Sequence, residues 1–174
     1  MNKEDNKTTV WVIRAGKSGK AHNLFINDGL IALEDAELGD LSAFDADRDS
    51  FYEAYRELFP SESRTGSAGV AGKFFRFTHE IEIGDVVVYP ARPDKQVYVG
   101  EITGGYSFVT SSDYPHQREV KWKYVIPKSE FSQPARYELG AARTFYQFKK
   151  NVDELVRRTR DASVARFRAK KKAK

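Results

Sequence analysis

Asp94 and the triplet Glu119-Val120-Lys121 are the residues in this chain most readily given a reaction. An Asp and a Glu on adjacent strands could hold a divalent metal, and a Lys two positions on could polarise the attacking water. The local pattern argues for a quieter role. Asp94 falls in the turn Arg92-Pro-Asp-Lys95, where exposed residues are expected. Glu119 and Lys121 alternate with Val120 and Trp122, as the polar face of a half-buried strand does. The segment Arg14 to Ala21 (RAGKSGKA) invites a phosphate-loop reading but fails on spacing. Arg14 stands where the first Gly should be, and Ala21 replaces the hydroxyl that would hold magnesium. His22, His79 and His116 are the only histidines; none has a nucleophile setting or a metal-ligand spacing. No catalytic residue, metal site or cofactor is expected.

The aromatics carry a stronger signal. A flat base is held by stacking, worth about 1–3 kcal/mol per base, and an extruded base is identified by hydrogen bonds to its edge. Trp11, Tyr89, Tyr98, Tyr106, Tyr114 and Trp122 all fall on predicted strands or their ends. Most aromatics on barrel strands serve the core, so Val120 and Trp122, with Val86 and Val88, are assigned to the barrel interior. Tyr106, Tyr114 and His116 flank loops and are better placed for a pocket. Arg14 ends an otherwise apolar run, as either a buried pairing partner or a ligand contact.

These residues need elements to position them. The 174 residues suit one domain with a real core. No window approaches the roughly 18 apolar residues of a membrane span, and MNKEDNKTT lacks the apolar stretch of a secretion signal. With no cysteine, disulfides and thiol chemistry are excluded. A cytoplasmic protein is expected. The net charge of +4 is uneven: residues 157–174 hold nine Lys or Arg against one Asp, which leaves 20 basic and 24 acidic residues elsewhere. A basic tail can supply phosphate affinity, or be a solvated terminus.

Strands are predicted over 9–15, 30–33, 86–89, 96–102, 106–109, 119–125 and 144–148. Helices are predicted over 21–28, 47–59, 70–81 and 151–167, with a short helix or turn over 131–137. Residues 61–69 read as a loop, and the last helix dissolves into AKKKAK. The mixed order fits an α+β fold around a small closed or half-open barrel.

The order of the pieces is VWVIRAG, a short helix, GLIAL with ELGDLS, a loop, AGKFFRFTHEIEIGDVVVYP, YVGEITGGY, and YPHQREVKW followed by a Pro. It resembles the N-terminal domain of Mrr-like, modification-dependent restriction proteins. More broadly it is similar to the EVE branch of the PUA-like superfamily, to which the YTH readers are related. The resemblance covers about residues 9–148, leaving 1–8 as a disordered N-terminus and 149–174 as a basic C-terminal helix, tail or linker. It implies a PUA/EVE-like mixed β-barrel of about six strands with flanking helices. The implied function is a non-catalytic reader that binds a flipped modified base in DNA, as the specificity module of a restriction or defence system. A fused or separate nuclease subunit is the implied partner, and no membrane is involved. Carried onto this chain, the base pocket comprises Trp11, Arg14, Ala15 and Gly16, then Leu33 to Asp35, then Ser67 to Val70 with Gly69. Tyr106, Tyr114 and His116 complete it. Lys17, Lys20, Lys73, Arg118, Arg157 and Arg158 would hold phosphates. Relatives commonly place an aromatic near the end of the GLIAL segment. This chain has Glu34 and Asp35 there, able to accept a hydrogen bond from an exocyclic amine. The alternatives are a metal-dependent PD-(D/E)xK-type nuclease using Asp94, Glu119 and Lys121, and an RNA-binding PUA-like module.

Overall fold

Strand alternation divides the molecule into two cores. In β1 (Val10–Ile13), Trp11 and Ile13 enter one core while Val10 and Val12 enter the other, because successive side chains on a strand point to opposite faces. β3 (Val86–Pro90) behaves in the same way, with Val87 and Tyr89 on the first side and Val88 on the second. Burial on both faces is why these runs read as continuously apolar. The computed structural model describes residues 9–173; the disordered segment expected over 1–8 lies outside them.

The remaining strands are β2 (Leu30–Leu33), β4 (Gln96–Ile102), β5 (Ser107–Phe108), β6 (His116–Pro127) and β7 (Phe145–Gln147). Their order is β2-β6-β4-β3-β1-β7, with β5 paired to β6. Among the described residues only β1 and β3 run parallel. The path of six strands curls into a half-barrel. Among the described residues no strand pairing joins its two ends, β2 and β7. The fold is therefore α+β around a half-open barrel.

Helices cover both faces. α1 (His22–Asp28), α2 (Arg48–Leu58) and α3 (Arg64–Phe75), which continues into a π-helical turn (Arg76–Glu80), close the first core with Phe25, Phe51, Phe74 and Phe77. α4 (Gln133–Leu139) and α5 (Val152–Lys172) close the second with Ala135, Leu139 and Leu155. Local chemistry sets the helix ends. Gly29 takes the left-handed C-cap at φ 64°. Asp47 and Ser63 accept from Ser50 N–H at 2.7 Å and Gly66 N–H at 3.0 Å, capping α2 and α3. The Ser63 cap overturns the loop expected over 61–69: α3 begins at Arg64, and Ser67, Ala71 and Gly72 are buried on it. α5 continues through the expected break to Lys172, consistent with the strong helix propensity of its Ala, Arg and Lys residues.

β6 carries the one irregularity of the ladder. Val99 pairs with Tyr124 but Gly100 pairs with Trp122, so Lys123 has no partner. This bulge reverses the alternation. Val120 and Trp122 pack on the first core, whereas Tyr124 and Ile126 pack on the second. Val86 and Val88, expected beside Val120 and Trp122, pack on the second core; Val87 takes the first. Arg166 of α5 donates to the Lys123 carbonyl and lies 5.9 Å from the Tyr124 ring centre. The basic helix is thus docked on the bulge.

Candidate functional site

The ends of β1 and β2 meet a tight turn. Ala21 N–H donates to Ala15 O at 2.9 Å, pinching residues 16–20 into a loop that contains a short 3-10 turn (Lys17–Gly19). Gly16 sits at φ 68° with Tyr114 and Glu34 upon it. A Cβ there would lie 2.7 Å from the Tyr114 hydroxyl and 2.9 Å from Glu34 Oε1. Lys17 N–H also faces Glu34 Oε1, at 3.4 Å. A Cβ on Gly19 would lie 3.2 Å from Pro93, so the turn rests on the β3–β4 hairpin tip.

Asp35 is a non-glycine residue in the left-handed region, at φ 72°, a conformation that persists only where its surroundings enforce it. The buried His116 enforces it. His116 Nε2 lies 2.8 Å from Asp35 O, and Nδ1 lies 2.8 Å from the Tyr106 hydroxyl. The carbonyl can only accept, so Nε2 carries the proton and Nδ1 accepts from Tyr106. Leu41 N–H in turn donates to the Tyr106 oxygen at 3.1 Å. Burial pushes the Tyr106 phenol up to about 12 and holds His116 below its usual range, the Asp35 contacts opposing that shift. The Asp35 carboxylate reaches Lys73 Nζ at 3.5 Å.

These residues form one end of a cleft of about 1290 Å³. Its other wall is the hairpin tip, the turn Lys128–Glu130 and α4. The volume exceeds the 300–1,000 Å³ common for small-ligand pockets, so an extended ligand fits better than a compact one. Seven lining residues are Lys or Arg, and only Glu34 and Asp35 are acidic. Among the described residues no histidine lines it, and the one lining hydroxyl bonded to an imidazole is that of Tyr89, 2.8 Å from His22 Nδ1. The arrangement can bind anions along its walls and a hydrogen-bond donor at the carboxylates.

Of the sequence-derived pocket, Arg14, Ala15, Gly16, Leu33 and Asp35 share this cleft with Lys17 and Lys73. Arg14 is half-buried: it lines the cleft, and its Nη2 donates to Gly140 O at 3.1 Å and Ala141 O at 2.6 Å. Tyr114 joins through Gly16. Tyr106 and His116 stand behind the site as its support. Trp11 does not belong: it is 1 % exposed, stacked on Phe145 at 4.9 Å, and donates to Asp85 at 3.0 Å. Ser67 is buried on α3 near Arg56, and Gly69 is exposed on the same helix; neither lines the cleft.

The phosphate set divides likewise. Arg118 is 5 % exposed and donates to Phe77 O at 3.2 Å, tying β6 to the π-helical turn. Its buried position removes it from any phosphate backbone. Lys20 is exposed outside the cleft lining, and Arg157 and Arg158 lie on α5, also outside it. Most of the expected aromatics are structural. Tyr89, Tyr98 and Trp122 cluster with His22 and Phe25, and only Tyr89 and Tyr137 are aromatic among the cleft lining. Asp94 and Glu119 stand at opposite ends of the β4–β6 ladder, where Gln96 faces Pro127 and Ile102 faces Val120. That is roughly 20 Å at about 3.3 Å per residue, too far for one metal ion. Among the described residues no cluster of three His, Asp or Glu could hold a metal, and no helix is long and apolar enough to cross a membrane.

The opposite wall was not foreseen. Arg92, Lys95, Lys128, Arg136 and Tyr137 read in sequence as turn and helix surface. Pairing the hairpin with the following strand would have brought Lys95 and Lys128 together. The chain belongs to the family described as Domain of unknown function (DUF8426), whose model matches residues 11–149. Comparison with curated proteins finds no match.

Proposed function

We propose that this domain is a non-catalytic, cytoplasmic reader of modified DNA, with a PUA/EVE-like half-barrel that receives one extruded base at the ends of β1 and β2. The observation that carries the reading is the segregation of charge. Outside residues 157–174 the chain is net acidic, yet the cleft concentrates seven basic residues around two carboxylates. Basic walls suit phosphates. Carboxylates at the β1–β2 end of the cleft suit the exocyclic amine of cytosine or adenine. Gly16, lacking a side chain, lets Tyr114 and Glu34 lie directly against the backbone. A nuclease, fused or separate, is the proposed partner, and the module acts in restriction or defence.

Anisotropy titrations at one fixed salt concentration test this, with duplexes carrying 5-methylcytosine, 5-hydroxymethylcytosine or N6-methyladenine, unmodified duplex, and matched RNA. One modified duplex is expected to bind at least about tenfold tighter than unmodified DNA, a difference of about 1.4 kcal/mol. Glu34→Gln is expected to reduce that ratio. Equal, weak binding to every DNA overturns the proposal, and preference for RNA assigns the cleft to an RNA-binding module instead.

A further inference from the structure

We infer that the far wall of the cleft is a single-strand binding surface: Arg92, Lys95, Lys128 and Arg136 engage successive phosphates, and Tyr137 stacks on an unpaired base beside the extruded one. The inference rests on the nucleic-acid reading above and names the form of the strand.

The first support is a cluster of like charges that the fold itself creates. β4 begins where Gln96 pairs with Pro127, and Lys128 N–H donates to Lys95 O at 3.1 Å. Two lysines are therefore backbone neighbours at the end of a ladder, and both line the cleft, where like charges repel. Lys95 is also held at φ 57°. Arg92 and Arg136 join them along the same cleft. Among the described residues, none of these four cations is in a salt bridge. The acid between them in sequence, Asp94, is turned away: it accepts from Gln96 N–H at 3.0 Å and from the Tyr98 hydroxyl, and lies 3.9 Å from His22. An anionic strand relieves this repulsion.

Tyr137 supplies the second support. It is 72 % exposed, unusually open for a large aromatic, and Gln133 Nε2 donates to its hydroxyl at 3.2 Å. A ring face open to solvent serves an unstacked base; a duplex offers only edges and backbone. The wall is also fixed relative to the pocket. Arg14 clamps the end of α4 through Gly140 O and Ala141 O, and Gly19 rests against Pro93 of the hairpin tip. A strand leaving the pocket thus meets a preset surface.

The test uses the intact chain and unmodified single-stranded and duplex oligonucleotides, titrated across a range of salt. Replacing Arg92, Lys95, Lys128 and Arg136 by Ser is expected to flatten the plot of log affinity against log salt by about 0.7 per lost contact, close to 3 in all. Tyr137→Ala is expected to weaken single-strand binding roughly tenfold with a smaller effect on duplex, and Tyr137→Phe to retain it. Arg157→Ser with Arg158→Ser, on α5, is expected to leave the slope unchanged. Thermal unfolding verifies that each variant is folded. An unchanged slope in the fourfold variant, or a loss that follows the α5 pair instead, overturns the inference. A flattened slope without preference for any modified base retains the strand surface and removes the base-reading proposal. Preference for a modified base with an unchanged slope does the reverse.

Discussion

His116→Phe separates support from contact at the site. The imidazole holds Asp35 O on one nitrogen and the Tyr106 hydroxyl on the other, at 2.8 Å each. Phenylalanine fills the space but leaves a carbonyl and a hydroxyl without that partner. Each buried unpaired group costs about 1–3 kcal/mol, so the variant loses about 2–6 kcal/mol at pH 7.5. Its pH dependence carries a second signature. Burial makes His116 harder to protonate in the folded chain, whereas an unfolded imidazole protonates near pH 6.5. Below that pH the unfolded state takes up a proton that the folded state resists, so wild-type stability falls as the pH drops toward the lowered folded value. The residue's slope fades as the pH rises through about 7.5, where the unfolded imidazole is also neutral. One proton gives at most about 1.4 kcal/mol per pH unit. The other histidines are common to both proteins and cancel in the difference. The carboxylates held low by their hydrogen bonds, Asp40 and Asp47 among them, lose their contribution in a more acidic window. Urea unfolding at half-unit steps from pH 8 to 5.5 reads both effects. Parallel profiles for the two proteins, or equal stability at pH 7.5, would refute the reasoning.

Three other substitutions divide scaffold from site. Gly100→Ala places a Cβ 2.7 Å from Val120 Cγ1 and 2.8 Å from Lys121 O; a loss of about 1–3 kcal/mol is expected in urea unfolding. Trp11→Phe removes the bond to Asp85, which keeps Glu82 N–H as a donor at 2.9 Å. Stability is expected to fall by about 1–3 kcal/mol while oligonucleotide affinity of the folded protein stays the same. Arg14→Lys cannot reproduce the fork onto Gly140 O and Ala141 O. Faster amide exchange over residues 139–145 is expected, with about 1–2 kcal/mol lost.

Much of the scaffold was legible because its signals are local. Gly29 after a short apolar helix, Asp47 before a periodic one, and the runs at 10–13 and 86–90 each state their own conformation. Ser63 was equally local but was masked by the Gly and Ser residues after it, which read as loop and instead pack a buried helix face. The site was less legible because it depends on pairing. Arg118 was given to phosphate, although it shares the parity of Val120 and Trp122 and so faces inward with them. Trp11 was given to the pocket because an aromatic near a strand end looks available; neither Phe145 nor Asp85 is close to it in sequence. Lys95 and Lys128 are separated by 33 residues, and only the β4–β6 register makes them neighbours.

Lys123 behaves like an extra letter that the β4–β6 ladder skips when it reads β6. The two halves of that strand are thereby written in different frames, one for each core. Deleting Lys123 leaves Val120, Trp122, Tyr124 and Ile126 on their present faces but removes the kink that helps the sheet curl. Deleting Val125 instead re-pairs Val99 with Lys123 and Tyr98 with Tyr124, so that a lysine turns into the second core and Tyr124 leaves it. Tolerance to a change of length along this strand is therefore set by frame and not by exposure, and two deletions only two residues apart are expected to have opposite fates.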